Sequence, residues 1–247
     1  MDIELLDRYQ RATGFMGVGD PFNAGFDQVD RLLDSGRGRR EACIEFSWSV
    51  PTLEAVMALV ACGPIIDPMA GTGYWAMLVD QAGGDVIASD VILPGDDPEE
   101  AAEITSSLCG YGNPWHAEGG RQWFPIGRQD ARQAASDHPE RTLVLSWPPY
   151  GDEIGAAVEE AFWTAGGKRM VYIGEPGEGC TGDEVLHARL GWSPLCRVHE
   201  FDFDPDEYEC VCELAGAQRW LQVSEVSLPQ WFGMHDALFI FDRKDPA

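Results

Sequence analysis

The chain has 247 residues, enough to bury one substantial core without disulfide or metal staples, and its 17 Lys and Arg against 42 Asp and Glu give a formal net charge of −25. Such acidity repels a phosphate backbone, so direct nucleic-acid binding is not expected; solubility or salt adaptation is the ordinary account of the charge. Residues 1–20 lack a basic, apolar leader pattern and no long run of apolar residues follows, which leads to the expectation of a soluble cytoplasmic protein with no membrane partner.

The N-terminal stretches LLDRYQRATGF and FDQVDRLLDSG have the spacing of two short amphipathic helices. Residues 1–45 are therefore expected to form a helical extension that serves as a lid or an oligomer contact, with a homodimer left open, ahead of a main domain over 46–247. Pro51 and Thr52 then start a helix with Leu53, Val56, Met57 and Val60 on its apolar stripe.

From Pro64 onward strand-like and helix-like segments alternate, the pattern of a doubly wound, mostly parallel α/β sheet. Strands are expected at 64–67, 85–89, 122–126, 142–147 and 168–173, with helices at 74–82, 99–108, 129–136, 152–165 and 182–190. The first unit, PIIDPMAGTGYWAML, is a strand ending at Asp67, a turn in which Gly71 and Gly73 allow a tight backbone path, and a helix. The second strand, VIASD, closes on Asp90, a position from which a carboxylate accepts hydrogen bonds from a ribose diol. A dinucleotide fold would place a glycine where this turn presents Asp67. A carboxylate there repels a pyrophosphate and suits a ligand bearing a cation or an amine.

Residues 91–122 are long for a connection and read as an inserted substrate loop, with Tyr111, Asn113, Trp115 and His116 set among glycines. At the end of the fourth strand comes LVLSWPPYGD, where Pro148 and Pro149 stiffen the exit. After Gly191 the segments CRVHEFDF, EYECVCEL and DALFIFDR are all strand-like, and DALFIFDR is expected as the last strand of a hairpin. Seven cysteines are scattered, and Cys196, His199, Cys210 and Cys212 lack the spacing of a structural zinc site, so no metal is expected.

In order and spacing, these segments over about 60–155 resemble class I S-adenosylmethionine-dependent methyltransferases, with Asp67, Gly71 and Gly73 on the first motif and Asp90 on the ribose-binding acid. The resemblance implies a seven-stranded sheet ending in an antiparallel hairpin and S-adenosylmethionine as cofactor. Asp130-Ala131 resembles the loop that reaches the adenine amino group, and Trp48, in Phe46-Ser47-Trp48-Ser49, falls where the family places residues against the methionine end. SWPPY is similar to the fourth motif of a PPY type, in which amino-methylating members have Asp or Asn before the prolines. Ser146 is taken to replace that residue, presenting Oγ to the nucleophile while Tyr150 stacks against it. This departure leaves oxygen, imidazole and carbon acceptors open beside amines.

Methyl transfer is an in-line displacement, so an acceptor must be held collinear with the departing sulfur, and a hydroxyl or imidazole acceptor must also lose a proton. Candidate bases are His116, Glu175 at the end of the fifth strand, and His235 in the His235-Asp236 pair; Glu175 reads equally as a clamp on the loop GEGCTG. Trp48, Trp75, Trp115, Trp147 and Trp231 lie beside these motifs and point to an aromatic-lined cavity for a planar or cationic small molecule. Of the adjacent Tyr74 and Trp75, at most one is expected to meet the cofactor. The leading expectation is methyl transfer to a nitrogen or oxygen of a small molecule. The alternatives are a nucleic-acid or protein N-methyltransferase completed by a partner, a non-catalytic methyltransferase-like scaffold, and an oxidoreductase, which the missing glycine disfavours.

Overall fold

The computed structural model describes residues 43–109, 121–151, 153–177, 179–192, 218–230 and 234–244. Most of the N-terminal extension, His116, Trp115, Trp231 and the segments CRVHEFDF and EYECVCEL lie outside the described residues. Among the described residues, no helix is long and apolar enough to cross a membrane.

The strands are β1 (Ile65–Asp67), β2 (Val86–Asp90), β3 (Gly127–Arg128), β4 (Thr142–Ser146), β5 (Arg169–Gly174), β6 (Trp220–Ser227) and β7 (Ala237–Arg243). They form one sheet in the order β3-β2-β1-β4-β5-β7-β6. The first five are parallel, and β7 runs antiparallel to both β5 and β6. This is the doubly wound α/β architecture with the terminal hairpin that the class I resemblance implies. The winding reverses between β1 and β4, which opens a crevice beyond the carboxyl ends of those two strands, at Asp67 and Ser146.

Alternation along the strands builds a core on each face. Ile65, Val144, Val171 and Leu238 pack under α1 (Leu53–Ala61) and α2 (Tyr74–Gln81). Ile66, Leu143, Met170, Tyr172 and Phe241 face the opposite layer, built from α4 (Ala131–Asp137), α5 (Ile154–Ala165) and α6 (Glu184–Leu190). Helix α3 (Pro98–Cys109) follows β2. Asp183 ties two of these helices together: its Oδ1 accepts from Leu186 N–H at 2.8 Å, capping α6, and its Oδ2 accepts from Ala156 N–H at 3.0 Å in the first turn of α5.

Two expectations need correction, and the hairpin gains a strand the sequence did not announce. Helix α1 starts from its Thr52 cap, but it buries Ala55, Val56 and Leu59, while Leu53 and Met57 are exposed. The third strand is at Gly127–Arg128 rather than 122–126, because Trp123 is drawn off to the glycine turn, where its N–H bonds to the Thr72 carbonyl at 2.9 Å. The hairpin partner of β7 is β6, whose buried residues are Trp220 and Val226; a strand so exposed lacks the apolar alternation that would announce it.

Candidate functional site

The crevice is a cavity of about 270 Å³ lined from both sides of the switch point. On one side stand Asp67, Gly71, Asp90, Asp130 and Ala131; on the other Ser146, Trp147, Pro148, Pro149 and Tyr150; and Phe46, Ser47 and Trp48 close over both. Of the sequence-predicted residues, Gly73, Glu175 and His235 are not among its lining.

Backbone shape accounts for the first side. Gly71 and Gly73 take φ of +55° and +73°, a region that side chains resist, and a Cβ on Gly73 would stand 3.0 Å from the Phe124 Cβ. The turn is braced by Asp90, whose Oδ2 accepts the Gly71 N–H at 2.9 Å while Oδ1 accepts the Ile92 N–H at 3.1 Å. Each carboxylate oxygen has a second acceptor site, so bracing the turn leaves capacity for a ligand hydroxyl.

Asp67 differs in kind. It is buried, the Met69 amide donates to its carboxylate, and its Oδ1 has no hydrogen-bond partner among the described residues. Burial, with the neighbouring Asp90 charge adding to it, pushes its carboxyl up from 3.8 to about 7. An orphaned buried acceptor on a cavity wall is satisfied by a ligand donor. A ligand ammonium would supply both the donor and the opposite charge. Asp130 also lines the cavity and has partners within the fold. It caps α4 through the Arg132 and Gln133 amides at 2.9 and 3.2 Å and chelates the Arg132 guanidinium at 2.6 Å, which holds its carboxyl below the ordinary range.

On the second side, the residue immediately before Pro148 is Trp147. Its φ is +52°, and it is the non-glycine residue with positive φ among the described residues. Residues before proline normally stay extended, and a left-handed non-glycine residue costs about 1–3 kcal/mol, retained where the surroundings over-determine it. Here the Trp147 N–H bonds to the Ile173 carbonyl on β5 at 2.8 Å, the indole Nε1–H donates to Asp236 Oδ2 at 3.0 Å, and the ring stacks on Trp48 with centroids 5.2 Å apart and planes 14° from parallel. The next residues are pinned as well, the Gly182 N–H donating to the Pro148 carbonyl at 2.8 Å.

Tyr74 and Trp75 both line the cavity. Phe46 packs edge-on against Tyr74 at 5.1 Å and accepts, through its carbonyl, a hydrogen bond from the Thr72 hydroxyl, which fastens the 43–50 segment over the glycine turn.

Glu175 follows β5 and clamps its loop. Its Oε2 accepts the Cys180 N–H at 2.7 Å, and its Oε1 accepts the His235 N–H at 2.6 Å and lies 3.3 Å from His235 Nδ1. Burial pushes the Glu175 carboxyl up, but the hydrogen bonds from Cys180 and His235 outweigh it and hold the group below its usual range. The His235 ring is 74 % exposed. Sequence reasoning missed Cys180 as a lining residue and Asp236 as the partner of Trp147. The one available signal was the direct adjacency of Asp236 to the last strand.

No protein-family model and no curated protein matches the chain. Solved structures show a distant likeness. Magnesium protoporphyrin IX methyltransferase (ChlM) from Synechocystis PCC 6803 with bound SAM is 15% identical, with 96% of this chain and 90% of that chain covered and a TM-score of 0.42. Burkholderia thailandensis 1,6-didemethyltoxoflavin-N1-methyltransferase, with bound 1,6-didemethyltoxoflavin and S-adenosylhomocysteine, is 13% identical over 92% of this chain and 94% of that chain, with a TM-score of 0.43.

Proposed function

We propose that this protein is a cytoplasmic enzyme that transfers a methyl group from S-adenosylmethionine to a nitrogen or oxygen of a small molecule that is planar aromatic or cationic. The observation that carries the reading is the buried carboxylate of Asp67, with an oxygen that no described residue satisfies, across the glycine turn from Asp90 at the switch point of the sheet. That is a site for a ligand with an amino group at one end and vicinal hydroxyls beside it.

When bound, S-adenosylmethionine supplies an electrophilic methyl carbon on a sulfonium. Asp67 takes the amino group as donor and counter-charge, Asp90 accepts from the ribose hydroxyls, and Asp130 with the Ala131 backbone meets the adenine. Trp48 closes on the methionine end. Ser146, at the end of β4, and Tyr150 hold the acceptor, and the stiff Pro148-Pro149 exit keeps them in place. Where the acceptor must lose a proton, His235, oriented through Nδ1 by Glu175, and His116 are the groups assigned to receive it.

Calorimetric titration of the protein with S-adenosylmethionine, S-adenosylhomocysteine and NAD tests the cofactor. Micromolar binding of either sulfur nucleoside with none of NAD is expected; NAD binding alone, or no binding of any of the three, overturns the reading.

A further inference from the structure

Met234, His235 and Asp236 precede β7, and each reaches a different part of the wall behind the acceptor side of the cavity. Met234 Sδ lies 3.2 Å from Cys180 Sγ, His235 N–H bonds to Glu175, and Asp236 accepts the indole N–H of Trp147. Cys180 and Trp147 line the cavity; Asp236 does not, and it is fully buried. A carboxylate taken wholly out of water carries a heavy desolvation penalty, so its placement against the Trp147 ring N–H matters for what that ring does.

The ring it holds is unusual. Trp147 stands directly before Pro148 at the end of β4, in a left-handed conformation, and it is stacked on Trp48. Both indoles are half-buried and both line the cavity. The acceptor side therefore presents aromatic faces, which recognise a flat π-system by offset stacking. An indole has two torsions to fix, and the Asp236 bond together with the Trp48 stack fixes them before any guest arrives, so less ordering is left to accompany binding.

We propose that Asp236 is a positioning residue that, through the indole N–H of Trp147, holds a Trp147–Trp48 seat for a planar, fused-ring heteroaromatic or phenolic methyl acceptor. The proposal rests on the methyltransferase reading for the word acceptor; the seat itself rests on the ring geometry.

The full chain is titrated with quinoline, 2-naphthol and the saturated decahydro-2-naphthol, with and without saturating S-adenosylhomocysteine, and tryptophan fluorescence and heat are followed. The flat probes are expected to bind at least about tenfold more tightly than the saturated alcohol of the same skeleton, a step of about 1.4 kcal/mol. Asp236→Ala is expected to lower flat-probe affinity about tenfold while leaving S-adenosylhomocysteine affinity within about twofold, and Asp236→Asn, whose amide oxygen still accepts from the indole, to restore most of the loss. Trp147→Leu is expected to lose as much as the variant combining Asp236→Ala with Trp147→Leu, because the two residues act as one unit. Should Asp236→Ala fail to fold, Trp147→Leu decides. Equal binding of flat and saturated probes, flat-probe affinity indifferent to Trp147→Leu, or flat-probe affinity unchanged by a folded Asp236→Ala overturns the proposal. Flat probes that bind while the sulfur nucleoside does not would leave the seat standing and remove the cofactor reading; the reverse would remove the seat alone.

Discussion

Two of the buried carboxylates, Glu159 and Asp67, are held on opposite terms. Glu159, on α5, is fully paired: Arg189 Nη1 lies 2.6 Å from its Oε2, Trp220 Nε1–H donates to its Oε1 at 2.8 Å, and Arg219 approaches to 3.5 Å. Neighbouring Glu160 takes up the outer nitrogens of the same arginines at 2.8 and 2.7 Å. Asp67 has a backbone amide and a like-charged neighbour. The difference separates architecture from function. The paired acid welds α5 and α6 to the hairpin and is complete, whereas the other is left incomplete by the fold, as befits a group that a ligand finishes.

The largest effect expected from breaking that contrast is on Glu159. Glu159→Ala strands the Arg189 and Trp220 donors in a dry layer and should lower unfolding free energy by about 3 kcal/mol in urea titration, with little change in nucleoside affinity for the fraction that folds. Asp67→Asn should act oppositely. At pH 8 it removes a buried charge that nothing offsets, so the ligand-free protein should gain about 1 kcal/mol or more in the same titration, while S-adenosylhomocysteine affinity falls about thirtyfold, ~2 kcal/mol. A loss of stability in Asp67→Asn would place Asp67 with Glu159 as a structural acid.

The smallest effect is a proton. Asp67 has a folded value of about 7 against an ordinary 3.8, so the folded state holds a proton that the unfolded state releases. Its contribution to stability is therefore greatest below the ordinary value and is lost as pH rises through about 7. A ligand ammonium favours the carboxylate, so binding at pH 6 should expel part of a proton, and affinity should climb towards about pH 7 and then level. Calorimetry at pH 6 in buffers of different ionisation enthalpy reads this directly, and Asp67→Asn should abolish it.

The sequence made local chemistry legible and hid long-range chemistry. Asp67, Gly71 and Asp90 could be assigned to a strand, turn and strand because each unit is contiguous and its residue types are dictated by backbone geometry. The central strands could be placed because Ile65-Ile66, Leu143-Val144 and Met170-Val171 are apolar in runs, as strands covered on both faces must be. The short, exposed β3 and the exposed β6 carry no such signal. The contact of Asp236 with Trp147 spans 89 residues, and it follows from β7 lying beside β5, which lies beside β4. No local pattern encodes that neighbourhood, so the bond between Trp147 and Asp236 could not be read from the pair His235-Asp236.

The two outer strands also bear on how the protein behaves in a crowd of its own copies. A sheet grows into aggregates where an edge is long, flat and unpaired. Among the described residues one edge is β3, two residues long, and the other is β6, interrupted by a bulge between Gln222 and Ser224. Neither of these strands gives an incoming strand a long continuous ladder to template on, although Leu221 and Val223 are exposed on β6.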